Sequence, residues 1–109
     1  MSIFRADILR TTAFGSITGT YSIVGPSVTH NLRIFRITNT TDADLILSFD
    51  GVNDNLFIPQ GSFVLYDLSA NAPPTNLIMS IGTVFYIKYN TGAPTSGGVW
   101  IEGIYAKGE

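Results

Sequence analysis

The chain has no cysteine, so it has neither a disulfide framework nor a thiolate site. That composition fits a protein made in a reducing cytosol. It has a single histidine, His30, beside Asn31. A catalytic base needs a nucleophile and an orienting carboxylate, and no Gly-x-Ser-x-Gly elbow is present to supply one. His30 therefore reads as a structural or interface residue. The only glutamates are Glu102, inside a strand-like segment, and Glu109 at the C-terminus. Nothing singles out a carboxylate pair of the kind glycosidases use. Gly97-Gly98 is not followed by Gly-Lys-Ser/Thr, so no phosphate loop is present. These absences lead to the expectation of no enzyme, no catalytic residue and no cofactor.

Charge is equally scarce, at 13% of residues, about half the usual ~25%. The six basic residues are scattered singly as Arg5, Arg10, Arg33, Arg36, Lys88 and Lys107. Phosphate-backbone binding needs clustered Lys and Arg, so no nucleic-acid partner is expected. No apolar run approaches the ~20 residues of a membrane helix. The start lacks the basic segment and apolar core of a signal peptide. Neither membrane insertion nor export is expected.

Apolar material is abundant. Of 109 residues, 45% are hydrophobic, and mean hydropathy is +0.27. One domain of this length buries roughly 65% of its unfolded surface, which suffices for one core. The excess apolar residues and low charge predict a homo-oligomer or a subunit of a larger particle, because a free monomer of this composition would be poorly soluble.

Gly (11) and Pro (5) punctuate the chain, a rhythm typical of all-β proteins. Asn31–Ile37, Leu45–Phe49, Leu56–Ile58, Phe63–Leu68, Val84–Tyr89 and Val99–Ala106 have the β-branched and aromatic content of strands. Gly15–Val24 shows the cleanest polar–apolar alternation and reads as a further strand. Residues 1–12 lack regular periodicity and read as an N-terminal arm or edge strand. Residues 13–109 form a single-domain antiparallel β-sandwich, jelly-roll or Ig-like, of seven or eight strands. Several strands are apolar on both faces. Arg33, Phe35 and Ile37 oppose Leu32, Ile34 and Arg36, and Val99 and Ile101 oppose Trp100 and Ile104. One core covers one face, so the second is expected to meet another chain.

Asp42, Asp44, Asp50 and Asp54 cluster in mid-chain. A Ca²⁺ site would need several converging oxygens, but the spacing misses the EF-hand pattern. Asp and Asn are also the residues that hairpin turns use, so no metal site is expected. Tyr86, Tyr89, Trp100 and Tyr105 fit either a sugar-stacking platform or packing at a subunit interface.

The run Asn39–Leu68 contains Ser48-Phe49-Asp50-Gly51, then Pro59-Gln60-Gly61-Ser62-Phe63, then Asp67-Leu68, and an apolar strand follows at Ile81–Tyr89. This pattern resembles the small all-β virion proteins of tailed bacteriophages, over about half the chain. The resemblance implies a non-enzymatic, multi-copy structural component on the capsid, at the head–tail junction or on the tail. Its partners would be capsid, portal or tail subunits, and its location the virion, after synthesis in the host bacterial cytoplasm. Candidate assembly contacts are Phe4, Ile8, Leu9, Tyr86, Trp100 and Tyr105, with the N-terminal arm expected to clamp a neighbour. The alternative is a carbohydrate-binding β-sandwich module or tail-fibre adaptor.

Overall fold

The computed structural model describes residues 3–67 and 79–107, with the side chains of residues 3, 4, 106 and 107 outside that description. The described residues form nine strands in two antiparallel sheets: β1 (Ile3–Ala6), β2 (Arg10–Ala13), β3 (Ser22–Ile23), β4 (Leu32–Asn39), β5 (Leu45–Ser48), β6 (Leu56–Ile58), β7 (Phe63–Asp67), β8 (Tyr86–Tyr89) and β9 (Gly98–Lys107). One sheet runs β1-β9-β4-β7, with β2 also on β9. The other runs β3-β8-β5-β6.

β1 and β2 are two halves of one edge strand. Ala6 pairs with Ile104, Asp7 donates its amide to the Gly103 carbonyl at 2.8 Å, and Arg10 pairs with Ile101. Ile8 and Leu9 together therefore stand opposite Glu102, which is a β-bulge. Counting this bulged strand once leaves eight strands ordered 1-8-3-6 in one sheet and 2-7-4-5 in the other. That order is a jelly roll. The described part of the 1–12 segment is thus an edge strand of its own sheet rather than an arm, and the strand continues to Ala13.

The core lies between the sheets. It contains Leu32, Phe35, Ile37, Val99 and Ile101 from one sheet and Leu45, Leu47, Ile58 and Ile87 from the other, with Val24, Val28 and Phe85 from connecting segments. Strand alternation accounts for most of this arrangement, with one exception at Leu32. The register between β4 and β9 shifts between Leu32 and Ile34, so that Arg33 is an extra residue. This bulge sends Leu32 to the core face, not to the face of Ile34 and Arg36 as strict alternation requires. Gly103 on the neighbouring β9 makes room for it: a Cβ there would lie 2.9 Å from Leu32 Cδ1.

Gly15–Val24 departs most from its alternating pattern. Only Ser22–Ile23 is strand, and Phe14–Ser16 is a 3₁₀ turn. The Thr18 hydroxyl binds the Thr20 carbonyl at 3.0 Å, so local side-chain bonds compete with the ladder. Gly19 lies against the Tyr89 ring, where a Cβ would come within 3.1 Å of the hydroxyl. Ile17 and Val24 still reach the core. The loop at 90–97 is tied down at its start, where Asn90 N donates to the Asp44 carbonyl at 2.9 Å, and near its end. Thr40 Oγ1 donates to the Gly98 carbonyl at 2.9 Å, and Thr95 N donates to Asp42 at 2.7 Å. A crossing loop expected from the sequence at Ser69–Asn76 lies outside the described residues, as do residues 77 and 78 of the segment Leu77–Ile81. Met79 forms a bridge with Leu32.

Candidate assembly surface

The outer face of the β1/β2-β9-β4-β7 sheet is largely apolar, and its charged members are the Arg36–Glu102 pair and, at one end on β7, Asp67. Register places three rows across it. Ile104 lies beside Ile34, Glu102 beside Arg36, and Trp100 beside Thr38. On β7 the same rows continue with Asp67, Leu65 and Phe63. On the bulged edge strand they continue with Ala6, Leu9 and Thr11. The exposed apolar members are Phe63 (59%), Leu65 (55%), Leu9 (55%) and Trp100 (39%). Ala6, Leu9, Ile34, Leu65 and Ile104 line a concavity of about 480 Å³, with Arg36 and Glu102 at its wall.

Arg36 and Glu102 are the face's central charges. Arg36 Nε donates to Glu102 Oε1 at 2.9 Å, and Nη2 donates to the same oxygen. Both side chains remain almost half exposed, at 45% and 47%, so solvent screens the pair and its contribution to monomer stability is small. The Arg36 guanidinium also lies 5.9 Å from the Phe63 ring centroid, a cation–π distance.

The six residues singled out from sequence do not form one patch. Leu9 and Trp100 belong to this face. Ile8 is exposed at the bulge beside it. Phe4 lies on β1, with its side chain outside the described residues. Tyr86 is on the opposite sheet, where its ring packs against Gly51. Tyr105 is half-buried and stacks on His30 at 3.8 Å, with the planes 4° apart. Ile34, Leu65 and Phe63 complete the face. Strand alternation pointed to Ile34, whereas only pairing across β4 brings β7 alongside.

Beneath the bulge is a buried polar cluster that sequence reading did not anticipate. Arg10 is 1% exposed. It donates to Asp7 at 3.0 Å, to the Pro26 carbonyl at 2.8 Å, and to the Ile8 and Ser27 carbonyls at 3.2 Å. Its guanidinium lies 5.7 Å from the Phe85 ring centroid. His30 Nδ1 is 3.7 Å from the other Asp7 oxygen. These contacts bind the edge strand to the turn that follows β3. Buried Asn39 is similar: its amide donates to the Ala43 and Ile58 carbonyls at 2.9 and 3.0 Å, and its oxygen accepts from Thr41.

The aspartates are occupied by loop contacts. Asp50 accepts from the amides of Asn53 and Val52, both at 2.8 Å, and these bonds hold its carboxyl far below the usual range. Asp42 is lowered by the Thr95 hydroxyl and amide. Asp54 is lowered chiefly by the phenol of Tyr21, with Lys88 adding to it. The Tyr21 phenol is pushed up by burial and by Asp54. Asp44 accepts from the Gln60 amide at 3.0 Å. Among the described residues no group of three or more His, Asp or Glu side chains is placed to hold a metal ion. No family model, curated protein or solved structure matches the chain.

Proposed function

We propose that the chain is a non-enzymatic structural subunit that works by assembly, and that its setting is the virion of a tailed bacteriophage. The observation that carries the assembly reading is the apolar outer face of the β1/β2-β9-β4-β7 sheet. Contiguous apolar surface of this kind marks interaction sites. The virion setting rests on the resemblance in Asn39–Leu68. The jelly roll is compatible with it, since viral capsid domains use that architecture, but so do lectins, and architecture alone does not assign function.

The carbohydrate-binding alternative needs stacking rings on one surface. Trp100 lies on one sheet face, Tyr86 on the other, and Tyr105 against His30. Tyr89 packs against the core. This separation favours assembly over sugar recognition.

Light scattering on the purified chain should find a species larger than the 11.8 kDa monomer. Co-sedimentation with capsids and tails of the phage encoding it should place the chain in the particle. A monomer that stays soluble at high concentration and sediments with neither would overturn the proposal.

A further inference from the structure

The outer face of the β1/β2-β9-β4-β7 sheet has a property that selects one kind of occupant: its central row, Leu9, Glu102, Arg36 and Leu65, is complementary to itself. We infer that this face docks on the same face of a second copy, about a two-fold axis that runs parallel to the strands and midway between β4 and β9. This inference rests on the assembly reading above and names the surface and the partner.

The pairing follows from register. Such an axis keeps each row in place and exchanges β4 with β9, and β7 with the bulged edge strand. Arg36 then faces Glu102 of the partner subunit, and Glu102 faces the partner's Arg36. Ile34 faces Ile104 of the partner subunit, and Leu65 faces the partner's Leu9. The bulge at Ile8–Leu9 matters here, because it sets Leu9 in the row of Glu102 and Arg36.

The alternative in-plane axis, perpendicular to the strands through the same row, sets Arg36 against Arg36 and Glu102 against Glu102. Like charges facing each other at an interface are unfavourable. Charge therefore chooses the first axis, and a two-fold makes each contact occur twice. Four strand positions at ~4.8 Å spacing and eight residues of β4 at ~3.4 Å rise give a footprint of about 19 by 27 Å. That area, roughly 500 Å², is about two thirds of the ~800 Å² per partner of a standard-size interface.

The test uses charge reversal on the full chain, read by sedimentation equilibrium with circular dichroism as the check on folding. Arg36→Glu and Glu102→Arg should each weaken self-association by about tenfold or more, as like charges then meet across the interface. Mixing the two variants should restore association as a one-to-one hetero-pair. In the mixture every facing pair is opposite in sign, although neither chain regains its internal ion pair. If either reversal fails to fold, Leu65→Asp and Leu9→Asp provide the second readout, and each should yield monomer.

A wild-type oligomer that persists in the single reversals, or in Leu65→Asp and Leu9→Asp, would overturn this interface and leave the assembly reading intact. Single reversals that dissociate but do not recover on mixing would overturn the assigned axis. A wild-type chain that is monomeric at every concentration would overturn the second-copy occupant together with the homo-oligomer reading.

Discussion

At the residue scale, two side chains show how differently carboxylates act here. Asp7 is the sole carboxylate on buried Arg10 among the described residues. Removing one partner of a buried pair leaves an uncompensated charge, a loss of about 3 kcal/mol or more. Asp7→Ala should therefore lower the unfolding free energy from urea titrations by that amount, whereas truncation of exposed Asp54 should change it far less. Asp50 is exposed and holds its own turn. Its folded-state acidity is stronger than the ~3.9 of an unfolded Asp, so its contribution is present above about pH 4 and is lost as pH falls below that value. Asp50→Asn should be less stable than the parent at neutral pH. The gap should close in thermal melts at acidic pH, and a gap unchanged by pH would remove the carboxylate from this account.

At the scale of elements, the bulged edge strand is the most informative. β1 and β2 pair with opposite halves of β9, and Asp7 and Arg10 anchor them beneath the bulge. Read from sequence, the segment had too little periodicity to be told from an arm, because the bulge adds a residue and shifts the phase of alternation. Its most buried residue is an arginine, which no hydrophobic pattern reveals. Deleting residues 1–9 removes Asp7 and half of the edge strand. The truncated chain should lose at least about 3 kcal/mol, which for a domain near this size lowers the melting midpoint by ~12 °C or more. A melting curve that superimposes on that of the full chain would mean the segment is dispensable to the fold. The same phase problem affects Leu32, where the extra residue Arg33 reverses the assignment of faces. Gly15–Val24 departs for a different reason: its alternation is regular, but Thr18 and Thr20 bond locally.

For the whole molecule, one sandwich buries the facing sides of two sheets and leaves two outer sides. The outer side that carries Ile34, Leu65, Phe63, Trp100 and Ile104 is apolar beyond what one core explains. The self-association proposed for it would link stability to concentration. The melting midpoint should rise as protein concentration rises, and it should stop doing so in Leu65→Asp. Calorimetry across a hundredfold concentration range checks this, and a midpoint independent of concentration in the parent chain would argue against self-association.

Legible in the chain before any tertiary contact were the all-β class, most strand positions, the loop that starts at Asp50-Gly51, the turn at Pro59-Gln60-Gly61, and the excess of apolar residues over one core. Each of these depends on local chemistry: β-branched content, period-two alternation, and turn residues with their own hydrogen bonds. Tertiary structure alone decided which sheet each strand joins, and hence the jelly-roll order. It also decided where bulges change the phase, that Arg10 and Asn39 are buried, and that Leu9, Leu65 and Arg36 share a row although they lie far apart in the chain. Those outcomes depend on pairing between distant segments. The pairing is selected by burial of the whole core, and no window of neighbouring residues contains it.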